Sequence, residues 1–181
     1  MSARSIIIDI TIRKTCSLSL FQRRTLRLHI RRAIRAAVGE LSRAKNFEVS
    51  VILTDEQEMR ALNHKYRGKD SVTDVLSFPL QDNLNQESVH NPDLKSAATD
   101  LPPEKHAPPD AHAHIPLGDI VVCLPRAEQQ AKDARHPLKR ELMFLCVHSV
   151  LHLFGYDHEK DKPSAAKMFA MQAEIMKGLS L

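Results

Sequence analysis

Apolar and polar positions in this chain follow two rhythms, a two-residue alternation in short stretches and a three-to-four-residue recurrence in longer ones. SIIIDITI, residues 5–12, is isoleucine-rich and weakly alternating, which predicts a first strand. From Leu20 to Ser42, residues Leu26, Ile30, Ala33, Ala37 and Leu41 recur at helical spacing and mark the stripe of an amphipathic helix. FEVSVIL, residues 47–53, predicts a second strand. Thr54, with Gln57 three residues on, has the form of a capping box and opens a helix to about Tyr66, ended by Gly68. A third strand runs from Thr73 to Phe78 and stops at Pro79; a fourth is GDIVVCL, residues 118–124. Pro125 fits the first turn of a helix reaching about Arg135. A strongly apolar helix over 138–154 follows, and a last one of about 15 residues begins at Asp161 or Ser164.

Residues 81–115 break both rhythms. They hold five of the ten prolines, four histidines and few large apolar side chains, a composition that cannot build a packed core. The stretch reads as a flexible insertion within a single domain spanning 1–181. His106, His112 and His114 lie in or at the edge of it and are expected to be exposed rather than a second metal site. Six acids against two lysines give the insertion a charge of −4, so the chain's +4 becomes +8 on the remainder. That excess suits a polyanionic partner. Arg24, Arg27, Arg31 and Arg35 gather on one face of the first long helix, which is either a solvated basic face or an RNA-binding ridge.

The chemistry concentrates in HSVLHLFGYDH. His148 and His152 are four residues apart in an apolar helix, so both imidazoles stack on one face. Gly155 lets the chain turn back, bringing His158 toward the same point. Three convergent imidazoles suit zinc with its fourth position open, the arrangement of a catalytic metal. The competing reading, three core histidines, demands a partner for every buried ring nitrogen. The spacing overlaps the metzincin protease signature, but those enzymes carry a glutamate after the first histidine as general base. Ser149 stands there and cannot act so, which disfavours peptide hydrolysis.

Composition narrows the rest. The chain has no tryptophan and few other aromatic residues, which argues against base stacking as a dominant binding mode. No apolar run approaches the roughly 20 residues that span a bilayer. Cys16, Cys123 and Cys146 are odd in number and scattered, as expected of free thiols in a reducing cytoplasm. The arginine-rich N-terminus has some features of an organellar transit peptide, but its early strand pattern favours part of the fold.

HSVLHLFGYDH, together with LNHKYRGKDSVTDVLSFPL (62–80) and LGDIVVCLP (117–125), closely resembles the YbeY family of metal-dependent endoribonucleases, also described as rRNA maturation factors. The resemblance implies a small α+β domain, a four-stranded mixed sheet packed against helices, with a zincin-like three-histidine site in a basic cleft. It places the metal ligands at His148, His152 and His158, and a functionally important arginine at Arg67. It implies one Zn²⁺ per chain, with Ni²⁺ or Co²⁺ also compatible with imidazole ligands. It also implies single-stranded rRNA and the small ribosomal subunit or its proteins as partners, with no membrane. The expected activity is maturation of the 3′ end of 16S rRNA and ribosome quality control.

Two departures stand out: Ser149 where the family has glycine, and Val72 where it has proline. Arg67 suits phosphodiester cleavage because a guanidinium is permanently charged and forked. Its plainer role would be pairing with an acid near the helix end. Asp157 and Glu159 flank His158, but neither is fixed as a general base, and either water or the RNA 2′-hydroxyl can be the nucleophile. A noncatalytic assembly factor braced by a metal, and a zinc-dependent peptide or amide hydrolase, are the alternatives.

Overall fold

Alternation along β1 (Ile6–Ile12) buries Ile8, Ile10 and Ile12 while Ile7, Asp9 and Thr11 face outward, as expected of a strand covered on one side. The computed structural model describes residues 5–42, 46–80 and 114–179. β2 (Phe47–Thr54) and β4 (Ile115–Cys123) are far more continuously buried, as central strands covered on both faces should be. β3 (Val75–Pro79) is a short edge strand. The sheet order is β1-β2-β4-β3; β2 runs parallel to both neighbours, and β3 is antiparallel to β4. The expected mixed four-stranded sheet is therefore present.

Five helices cover it: α1 (Leu20–Leu41), α2 (Glu56–Arg67), α3 (Leu124–Asp133), α4 (Leu138–Leu153) and α5 (Lys162–Gly178). Ser19 and Gln22 close a reciprocal capping box at the start of α1. The predicted stripe of α1 is buried at Leu26, Ile30, Ala33 and Ala37 and half-buried at Leu41. α1, α4 and α5 enclose the main core with one face of the sheet. α2 closes a smaller cluster of Met59, Leu76, Val121 and Cys123 on the other face. α4 is buried nearly all round because α1, α3, α5 and the sheet pack against it.

The structure shifts several sequence boundaries and chooses between the two candidates for the last helix cap. Thr54 does not cap α2; it pairs with Cys123 as the last residue of β2, and Asp55 caps the helix through the Glu58 N–H at 2.8 Å. Thr54 instead donates its hydroxyl to the Glu58 carboxylate. Ile115, read as the end of the insertion, begins β4 because Phe47 of β2 extends far enough to pair with it. Between the two candidates for the α5 cap it is Asp161, whose Oδ1 accepts the Ser164 N–H at 2.7 Å. The rest of the proposed insertion, with His106 and His112, lies outside the described residues, while His114 precedes β4 and is half-buried.

Gly118 decides how closely the edge strand approaches. Its φ of 143° is a conformation side-chain-bearing residues avoid, and an added Cβ would lie 2.2 Å from the Phe78 carbonyl oxygen. Glycine here lets β3 close on β4, and β3 forms one wall of the cleft described next.

Candidate metal centre

Helical periodicity supplies the first two candidate ligands. Along the second half of α4 the strip Phe144, His148 and His152 faces a cleft, while most of the intervening residues are buried. The helix ends in a Schellman motif: the Gly155 N–H donates to His152 O (2.8 Å) and the Tyr156 N–H to Leu151 O (3.0 Å). Gly155 takes the required left-handed φ of 84°. The chain thus reverses within two residues, and His158 reaches the other two rings. One ligating nitrogen from each of His148, His152 and His158 lies within 4.8 Å of the others.

Burial and hydrogen bonding prepare these rings for a cation. Burial, then the neighbouring imidazoles, pushes His152 down to about 4. Burial likewise lowers His148, partly offset by its bond to Gln172. Both are therefore neutral near pH 7 and offer a lone pair. The Gln172 side chain sets which nitrogen offers it. Its Nε2 donates to the Phe144 carbonyl (3.4 Å), which turns its Oε1 toward His148 Nδ1 at 3.2 Å. An amide oxygen accepts only, so the proton sits on Nδ1 and the lone pair on Nε2, 3.1 Å from His152 Nε2. Two imidazole nitrogens meeting at that distance, with His158 beside them and no fourth side-chain ligand among the described residues, fit a divalent ion with an open position.

The cleft, about 890 Å³, is walled by β3, the end of α2, α4, α5 and the loop after Gly155. Arg67, the last residue of α2, lines it, and its Nη2 lies 3.5 Å from Glu159 Oε1. Arg67 thus does pair with an acid, but that acid is the neighbour of His158 across the cleft. Both partners are largely exposed, so the pair is weak and leaves the guanidinium available. Asp157 accepts the Glu159 N–H at 2.8 Å, forming the turn that carries His158.

The expectation of a basic cleft is corrected here. Its described lining offers Arg67 against Asp74, Asp157 and Glu159. Positive charge at this point comes from Arg67 and from whatever cation the histidines hold. The arginines of α1 lie on a different surface, and no ion pair holds Arg24, Arg27, Arg31 or Arg35 among the described residues. Ser149 is fully buried and outside the cleft lining, and its Oγ has no hydrogen-bond partner among the described residues.

Sequence reasoning missed Gln172 and Asp74. Gln172 sits at helical spacing with buried Met168 and Ile175, so a polar residue interrupting an apolar stripe was the available signal. Asp74 accepts from the Val75 N–H (2.9 Å) and from Gln130 Nε2 (2.9 Å), fixing the start of β3, and nothing in its local sequence announces that role.

A small α+β domain whose sheet supports a central helix bearing two of three convergent histidines defines the class: an α+β fold with an open cleft and a three-histidine group that could hold a metal ion. The chain belongs to the endoribonuclease YbeY family, whose pattern it matches over residues 11–180. It is 39% identical to the endoribonuclease YbeY of Geobacillus thermodenitrificans, covering 79% of this chain and 80% of that protein. It is 43% identical to that of Geobacillus kaustophilus over 71% and 70%, and 38% identical to that of Caldanaerobacter subterraneus over 83% and 85%. The solution structure of TM1509 from Thermotoga maritima shares the fold, with a TM-score of 0.53 and 24% identity over 96% of this chain and 89% of that one.

Proposed function

We propose that this chain is a zinc-dependent endoribonuclease that cuts single-stranded RNA, acting in the cytoplasm on the 3′ end of small-subunit (16S) rRNA and in ribosome quality control. The observation that carries this reading is the three-histidine cluster, open on one side, in a cleft that also presents Arg67. His148, His152 and His158 would hold the ion, which would supply Lewis acidity at the cleft. Ni²⁺ or Co²⁺ satisfies the same donor set.

The chain's own residues do the remaining work. Gln172 holds the His148 ring with Nε2 turned toward His152 Nε2. Arg67 reaches the cleft from the opposite wall and suits the nonbridging phosphate oxygens, where negative charge grows during cleavage. Asp157 and Glu159 stand beside His158, and Glu159 is the carboxylate nearer Arg67. The attacking oxygen is that of water or of the RNA 2′-hydroxyl. Buried Ser149 in place of a glutamate weighs against a peptide hydrolase. The lack of a fourth side-chain ligand among the described residues weighs against a metal that only braces the fold.

The experiment is cleavage of a labelled single-stranded rRNA fragment by the wild type and by His148→Ala, with metal content measured in both. Metal-dependent cuts by the wild type alone support the reading. Bound metal with no cleavage by either protein, in the presence of small ribosomal subunits as well, overturns it in favour of a noncatalytic factor.

A further inference from the structure

The chain is poor in aromatic residues, yet it spends them at one place. Of six phenylalanines and two tyrosines, Tyr66, Phe78, Phe144, Tyr156 and Phe169 line the cleft. Two of these are placed oddly for structural residues. Phe144 is 42% and Phe169 50% exposed, and neither joins either hydrophobic cluster. A large apolar ring left in water beside a reactive site, outside the core, points to a ligand with a flat apolar face.

Their disposition relative to the histidines is specific. The Phe144 ring stacks near-parallel to His148 (15°, centroids 6.4 Å apart), and Phe169 near-parallel to His158 (23°, 5.6 Å). His148 and His158 are themselves 5.1 Å apart, so the four rings form a chain with the metal ligands in the middle and a phenylalanine at each end. Tyr66 is less free, because Lys65 Nζ lies 4.9 Å over its ring and Phe78 meets it edge-on.

We propose that Phe144 and Phe169 are base-stacking platforms that hold the nucleobases on either side of the scissile phosphodiester. This rests on the endoribonuclease reading above and makes it more specific. The cleft lining bears one arginine against three carboxylates, so charge on the protein alone does little to draw a polyanion into it. Stacking supplies attraction that does not depend on charge and accepts any base, since every base has a π face. It also selects single strands. In an A-form duplex the base faces are buried against each other, and only unpaired, unstacked nucleotides can offer them to an aromatic ring.

The test uses Phe144→Leu, Phe169→Leu and the double variant, which keep apolar bulk at exposed positions. Metal content is measured alongside KM and kcat on a short single-stranded RNA whose cut position has been mapped. Each single variant is expected to keep its metal and to raise KM about tenfold, and the double variant about a hundredfold, with kcat little changed. Replacing a base beside the cut with an abasic nucleotide should reproduce the loss in the wild type and add little in the matching variant.

A double variant with KM within twofold of wild type, or equally penalised by the abasic substrate, overturns the proposal. Should the wild type cut nothing, the nuclease reading falls by itself. Binding of oligoadenylate carrying 2-aminopurine at successive positions then decides the stacking: a fluorescence change lost in the double variant supports it, and one that persists overturns it.

Discussion

Gln172 of α5 and His148 of α4 are joined by a 3.2 Å hydrogen bond between residues 24 positions apart, and the Phe144 carbonyl fixes the sense of that bond. One buried amide therefore sets the tautomer of a histidine in the candidate metal centre.

Gln172→Leu removes the acceptor and puts an apolar side chain of similar size at the buried position. Metal affinity should fall about 10- to 100-fold, measured by competition with a chromogenic chelator, while the far-UV circular dichroism spectrum stays that of the wild type. Undiminished affinity would show that ring packing alone orients His148.

Arg67→Glu should leave metal content intact, because Arg67 is not one of the three candidate ligands, and should lower kcat on single-stranded RNA by about 100-fold or more. Arg67→Lys should fall between, since a lysine keeps the charge but loses the fork. Rates equal to wild type in both variants would remove Arg67 from the chemistry.

Gly118→Ala should be among the most damaging single changes. The new methyl meets backbone at Phe78 and the side chain of Leu153, and the positive φ is strained as well. A loss of about 3 kcal/mol or more is expected in urea unfolding, with metal retention falling as β3 moves away from β4. A loss below about 1 kcal/mol would mean that the two strands separate easily.

Acid should loosen the corner where β1, β2 and α2 meet. The Thr54 hydroxyl and the Arg13 guanidinium hold the Glu58 carboxyl below its usual range, with Arg13 Nη2 at 2.8 Å from Oε1. A carboxylate depressed in the folded state stabilises it above the unfolded pKa of about 4.3, and that contribution is lost as pH falls through the folded value. The gap in Tm between wild type and Glu58→Gln should thus be constant from pH 7 to about pH 5 and shrink below about pH 4. A gap independent of pH would mean that the neutral amide replaces every bond the carboxylate makes.

Much of this molecule was legible locally. The four strands and five helices follow from periodicity, and their ends shifted mainly where pairing overruled a local signal. Thr54 looks like a cap, but Cys123 beside it in the sheet keeps it in β2. Ile115 follows a proline-rich stretch, but Phe47 recruits it into β4. Strand ends depend on what the neighbouring strand offers, and no window of sequence contains both partners.

The sequence by itself determined the three-histidine group. Two histidines one helical turn apart and a glycine that reverses the chain are geometry written within eleven residues, and any fold that keeps α4 helical keeps them together. Tertiary packing alone decided what surrounds them. It set Gln172 against His148 and Arg67 against the loop after Gly155. It also gathered five scattered aromatic residues into one cleft whose lining is more acidic than the chain as a whole. Those contacts join residues far apart in the chain, and they exist only because the helices dock on the sheet in one register.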